Sequence, residues 1–237
     1  MEEHALTIGE TTLSVDPSGA WITKLSDKNG DILFPRGSFK AESGESKLRG
    51  GCHVCVPQFG PVPRPGGLAQ HGFGRDSKWA VQEITADTLV LSLAPTHEDY
   101  TDLQIVLTYR LAKSQLHVEL SLHNDSSRTV RVAPGFHPYF ATAGAATIGI
   151  DDETINVDAY HDMETIVGAK KVLEVNKRNI TIASEELNVW ALWSDRLGDY
   201  FCVEPTLGGN RFLNEDPQED ELLPPNAHAS YAMMISW

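Results

Sequence analysis

Leu116-His117-Val118-Glu119-Leu120-Ser121-Leu122-His123 alternates without a break: every even position is aliphatic and every odd one polar. Side chains of a β-strand point to opposite faces in turn, so this stretch predicts a strand with one buried face. Leu89, Leu91 and Leu93 repeat the pattern, as do Ile105, Leu107, Tyr109 and Leu111. The joint Ala112-Lys113-Ser114 between the last of these and the opening stretch is short and polar, so the two strands should close as a hairpin. Upstream, Trp21 to Leu25 and Asp31 to Phe34 flank Asp27-Lys28-Asn29-Gly30, where Asn-Gly marks a tight turn. Further strands are expected at Thr129 to Ala133, Ile180 to Ala183, Val189 to Trp193, Tyr200 to Glu204 and Ser230 to Trp237. No run of ten or more residues keeps a convincing helical period, and no repeat or linker divides the chain. Residues 1–237 therefore read as one all-β domain, a single large antiparallel β-sandwich.

At 237 residues the chain can bury a core without disulfide or metal. Nineteen basic against 33 acidic residues give a formal charge of −14, which argues against nucleic acid or an anionic membrane as partner. A small anion is still permitted, because distant surface charge is screened beyond about 8 Å. Met1-Glu2-Glu3-His4 has neither the basic start nor the apolar run of a signal peptide, and no stretch is apolar for long enough to span a membrane. Cys52, Cys55 and Cys202 are an odd count, too few for a disulfide framework. A reduced, cytoplasmic protein is the expectation.

Two segments break the strand pattern, Arg49 to Lys78 and Leu207 to Ala229, and long irregular segments in a sandwich are often functional loops. The first contains Leu48-Arg49-Gly50-Gly51-Cys52-His53-Val54-Cys55-Val56-Pro57-Gln58-Phe59-Gly60-Pro61, then Gln70-His71-Gly72-Phe73-Gly74-Arg75. Its glycines allow close backbone approach, and its Gln, His and Arg side chains suit hydroxyls or a phosphate. The plainer alternative is a surface loop facing only water.

In Gly135-Phe136-His137-Pro138-Tyr139-Phe140 the histidine is either a satisfied core residue or a group held rigid for proton transfer. In Tyr200-Phe201-Cys202-Val203-Glu204-Pro205-Thr206 the carboxylate is expected to end its strand, before a proline that cannot extend the ladder. It is either solvated at the rim or aimed into a pocket, where desolvation raises its basicity. Cys52-His53-Val54-Cys55 matches C-x-x-C spacing, yet lacks the second pair that a zinc site needs and the helix that a redox motif needs. The acidic run Glu215 to Glu221 reads as a solvated loop.

Taken together, Arg49-Gly50-Gly51 leading to Pro57-Gln58-Phe59-Gly60, then Gln70-His71-Gly72-Phe73 with Arg75, Phe136-His137-Pro138-Tyr139-Phe140 and Val203-Glu204-Pro205 resemble the aldose 1-epimerase superfamily. They are most similar to its hexose-6-phosphate mutarotase branch. The resemblance implies a supersandwich fold with a sugar site on the concave face. It implies His137 as general acid and Glu204 as general base, from opposite sides of a pocket, with Arg49, Gln70, His71 and Arg75 around the substrate. The family's aspartate is placed at Asp158, with Asp162 as second choice. His53 and Gly74 depart from the residues usual there, and the chain is shorter than typical members. The activity implied is interconversion of α and β anomers of an aldose, in particular a hexose 6-phosphate, without metal, cofactor or covalent intermediate. The partner implied is a small sugar or sugar phosphate, bound by a monomer or weak homodimer. The alternatives are a mutarotase of free aldoses and a catalytically silent sugar-binding sandwich.

Overall fold

The computed structural model describes residues 2–60, 67–214 and 216–237; Pro61 of the first loop and Glu215 of the acidic run lie outside them. The chain forms two large antiparallel sheets. One runs in the order β1 (His4–Ile8), β2 (Thr11–Asp16), β3 (Trp21–Asp27), β4 (Gly30–Leu33), β13 (Gly135–Ala141), β20 (Tyr200–Thr206), β19 (Val189–Trp193), β16 (Glu164–Val167), with β7 (Cys52–Cys55) joined to β13 and β3. The other runs β15 (Glu153–Asn156), β14 (Thr147–Ile150), β17 (Lys170–Val175), β18 (Arg178–Ala183), β22 (His228–Ser236), β11 (Gln115–Asn124), β10 (Leu103–Ala112), β9 (Thr88–Leu93), β8 (Ala80–Ile84). Two small pairs complete the set: β5 (Gly37–Lys40) with β6 (Ser46–Arg49), and β12 (Val130–Arg131) with β21 (Leu222–Leu223). The described helical residues are confined to short 3-10 turns.

The alternating stretch behaves as its pattern demands. Leu116, Val118, Leu120 and Leu122 of β11 are buried, and the odd positions between them are partly exposed. Ala112 pairs with Gln115, so the hairpin turns on Lys113-Ser114 alone. The β3–β4 turn is displaced by one residue from the Asn-Gly expectation. Asp27 pairs with Gly30, leaving Lys28-Asn29 as the loop.

The first sheet is buried on both faces where it matters most. Along β13, Phe136 and Phe140 enter the main core, as do Phe201 and Val203 of β20, Trp190 and Leu192 of β19, and Cys52 and Val54 of β7. The intervening residues His137, Tyr139, Cys202, Glu204, His53 and Cys55 occupy the opposite face and are buried there too. No alternation is visible in such strands, because a second, polar-lined layer covers their outer face. Two expectations are corrected here. The Arg49–Lys78 segment is not wholly irregular, since β7 lies within it. Nor does Glu204 end its strand: β20 continues to Thr206, with Pro205 paired to Trp190 of β19. Pro205 is tolerated because the pairs between β13 and β20 run Gly135–Thr206 and then Tyr139–Cys202. The interval between them holds Pro138 and Pro205, which have no N–H to offer.

Candidate active site

Adjacent strands set the central pair. The rungs Gly135–Thr206 and Tyr139–Cys202 bracket His137 and Glu204, so both project from the same face of neighbouring strands. His137 Nε2 lies 3.4 Å from Glu204 Oε2, and the two side chains are 6% and 2% exposed. Glu204 Oε2 and His137 Nδ1 have no hydrogen-bond partner among the described residues. The 3.4 Å approach is thus an ion-pair distance without hydrogen-bond alignment. The pair stands side by side rather than on opposite sides of the pocket, because it comes from adjacent strands of one sheet.

Burial sets the charge states. Desolvation holds His137 well below the usual histidine value, and the charges of His71, Arg75 and Arg49 push the same way. Desolvation alone raises Glu204 well above the carboxylate range. Both trends favour the uncharged form of each group. Aromatic rings fix the imidazole: Tyr139 stacks on it at 4.6 Å and Trp193 meets it edge-on at 5.9 Å. His53, opposite His137 on β7, lies at 4.7 Å between it and Trp21.

The pair opens into a cavity of about 720 Å³, within the range of about 300–1,000 Å³ usual for small-molecule sites. Arg49, Gln70, His71 and Arg75 line it together with His137 and Glu204. His71 takes a left-handed φ of +62°, and its N–H donates to Gly60 O at 3.2 Å. Gly72 follows because a Cβ there would stand 2.1 Å from Val56 O. Arg49 is already engaged: its Nε and a terminal nitrogen each lie 2.8 Å from Asp195 Oδ2, and Nη1 donates to Leu48 O at 2.8 Å. Asp195 also accepts from the Tyr200 hydroxyl. Among the described residues, the ion pairing of Arg75 is a loose 3.7 Å contact with exposed Asp76.

Asp158 is not brought to this cavity. Its carboxylate lies 2.8 Å from Arg196 Nε, beside a 3-10 turn at Val157–Ala159, and Asp162 is exposed. Neither residue lines the pocket, whereas their neighbour Met163 does. Sequence reasoning passed over Lys47, Tyr139, Trp193 and Asn210, which also line it. The two-residue spacing that puts Tyr139 beside His137 was a usable signal. Lys47 and Asn210 arrive on a separate hairpin and a 3-10 turn and carried none.

The C-x-x-C reading is settled by strand geometry. Positions three apart on β7 face opposite ways, so Cys52 joins the main core while Cys55 packs with Phe59 and Ala191. Among the described residues, His137, Cys202 and Glu204 form a group whose potential ligand atoms all lie within 4.8 Å of one another.

A buried histidine–glutamate pair thus lies at the floor of a cavity in a sandwich of this topology. The chain belongs to the aldose 1-epimerase family, whose sequence model matches residues 4–192. A Salmonella typhimurium protein named "Putative glucose-6-phosphate 1-epimerase" is 28% identical over 120 residues, 46% of this chain and 39% of that one. A Cenchrus ciliaris protein of the same name is 32% identical over 85 residues, 36% of this chain and 24% of the other. The matched stretches thus span well under half the length of these relatives. A galactose mutarotase-like protein from Lactobacillus casei ATCC 334 superposes with a TM-score of 0.79 at 16% identity, covering 99% of both chains. A Synechocystis sp. PCC 6803 protein does so with a TM-score of 0.77 at 23% identity, covering 99% of this chain and 95% of that one. At these identities the structural likeness is one of fold. Among the described residues no helix is long and apolar enough to cross a membrane.

Proposed function

We propose that this protein is a mutarotase that interconverts the α and β anomers of an aldose by opening and reclosing the hemiacetal ring. The observation that carries this reading is the buried His137–Glu204 contact of 3.4 Å at the floor of the cavity. Ring opening removes the proton of the anomeric hydroxyl and delivers one to the ring oxygen. Both oxygens sit on one carbon, so two adjacent groups can serve them together. The open aldehyde then turns about its bond to the next carbon, and reclosure on the other face returns both protons with the roles exchanged.

The resemblance assigns His137 as acid and Glu204 as base, which requires the shared proton on the imidazole. Burial favours the neutral imidazole and the protonated carboxyl instead. The two arrangements contain the same number of protons. A sugar whose hydroxyls hydrogen-bond the carboxylate favours the charged form and draws the proton to His137. Each group's assistance is worth roughly 10²–10⁴-fold.

The finer proposal is that the aldose is a hexose 6-phosphate. Arg75, Lys47 and Arg49 all line the cavity, and the family relatives of that name point the same way. Because Asp195 already holds Arg49, Arg75 is the principal phosphate ligand in this reading. Polarimetry starting from pure α-glucose, α-galactose and α-glucose 6-phosphate tests both levels. Acceleration over buffer is expected for at least one sugar, with the phosphate ester favoured. Binding of a sugar without any acceleration would instead establish a silent sugar-binding sandwich.

A further inference from the structure

Cys202 has no part in the proposed acid–base chemistry, yet it stands on the same face of β20 as Glu204, two residues away. Its thiol is buried, and with His137 and Glu204 it offers sulfur, nitrogen and oxygen donors mutually within 4.8 Å. That is a ligand set zinc favours, with Zn–N and Zn–O near 2.0–2.1 Å and Zn–S near 2.3 Å. Those bond lengths make the edges of a tetrahedral site roughly 3.3–3.6 Å. The His137 Nε2 to Glu204 Oε2 edge is already 3.4 Å, so the thiol alone must close in.

A second observation points to a ligand here. Glu204 Oε2, an atom of the proposed site, is a buried polar atom without a hydrogen-bond partner among the described residues, in a side chain only 2% exposed. Buried polar atoms are costly unless something satisfies them. A dication held by one thiolate and one carboxylate is also formally neutral, so the loaded cluster adds no uncompensated charge to the interior.

We propose that His137, Cys202 and Glu204 form a binding site for Zn²⁺ and similar thiophilic divalent ions, which block the cavity by occupying its floor. As the metal binds, the thiol proton of Cys202 and the carboxyl proton that burial favours on Glu204 both pass to solvent, leaving one thiolate and one carboxylate on the ion. The fourth coordination position faces the cavity and is filled by water. A metal seated there ties up both groups proposed to move protons, so it acts as an inhibitor competitive with sugar and not as a cofactor. Cys55, on β7 and outside the triad, is not a ligand.

The test uses the whole chain, stripped of metal, and Cd²⁺ as probe, because cadmium–thiolate bonds give an ultraviolet charge-transfer absorption. Titration should saturate at one Cd²⁺ per chain, and Zn²⁺ should displace it. Cys202→Ala and Cys202→Ser should abolish the band, Glu204→Gln should weaken Cd²⁺ binding at least tenfold, and Cys55→Ala should leave the band intact. Thermal unfolding of each variant confirms that it is folded. No band in the wild type, a band surviving in folded Cys202→Ala, or a band lost in folded Cys55→Ala would overturn the site. These readings need no substrate, so they stand apart from the mutarotase proposal. In the enzymatic arm, each rate is normalised to that variant's own metal-free value. Zn²⁺ inhibition should weaken at least tenfold in Cys202→Ala, and equal inhibition of both proteins would refute the blocking role.

Discussion

Glu204→Gln replaces the buried carboxyl by a group of nearly the same shape that cannot ionise. In the fold, burial keeps this carboxyl protonated well above its ordinary value of 4.5; in the unfolded chain it ionises normally. Between those two values the native state holds one more proton than the unfolded state, so the stability this group contributes falls as pH rises. The limiting slope is about 1.4 kcal/mol per pH unit for one proton. Below the unfolded value the full contribution is present, and above the folded value the loss is complete. His137 and His53 act in the opposite sense. Burial holds both well below 6.5, so stability is lost as pH falls beneath that value. The wild-type profile mixes these trends, whereas the difference between wild type and Glu204→Gln isolates the carboxyl. Urea unfolding of both proteins at several pH values from 5 to 8 is the assay. The wild-type advantage should shrink with rising pH, at up to about 1.4 kcal/mol per unit. Parallel profiles would mean that Glu204 ionises normally in the fold, and the desolvation argument would fail.

Gly51→Ala should cost at least about 3 kcal/mol in urea unfolding, because φ is +67° and a Cβ would stand 1.7 Å from Ile22 O at the entry to β7. Arg131→Ala should cost about 3 kcal/mol, since it strands the fully buried Glu221 that Arg131 Nε and Nη2 hold at 2.9 and 2.7 Å. Arg211 also approaches Glu221, at 3.5 Å, and should keep the loss from being larger. Arg75→Ala should lower kcat/KM for glucose 6-phosphate about 10–100-fold, the worth of one charge-assisted hydrogen bond, while changing glucose much less. Arg49→Ala should alter the phosphate preference less than Arg75→Ala, because Asp195 already occupies two of its nitrogens.

The fold was legible wherever a strand has one wet face. Leu116 to Leu122 and Ile105 to Leu111 declare their alternation because water keeps every second side chain polar. β7 and β13 hide it: their outer faces are covered by cavity residues, so Cys52–Cys55 and Gly135–Ala141 are buried throughout. The Gly and Pro residues around Cys52–Cys55 imitated a loop for the same reason. Family motifs located His137, Glu204, Arg49, Gln70, His71 and Arg75, and the fold gathers all six around one cavity. Asp158 lies in a segment without a distinctive motif, and a local arginine, Arg196, pairs with it outside the cavity lining. Which face of β20 Cys202 shares with Glu204 could be counted from their spacing. That His137 crosses to meet them depends on strand pairing between residues far apart in sequence, which periodicity does not encode.

The central claim is that the His137–Glu204 pair carries out anomer exchange, and NMR exchange spectroscopy on equilibrated glucose 6-phosphate and glucose measures that directly. Wild type should produce cross-peaks between α and β anomeric protons at mixing times where buffer shows none. His137→Ala and Glu204→Gln, confirmed as folded, should each lower the exchange rate by at least about 10²-fold. Exchange at near wild-type rate in either variant would contradict the assignment of the chemistry to this pair.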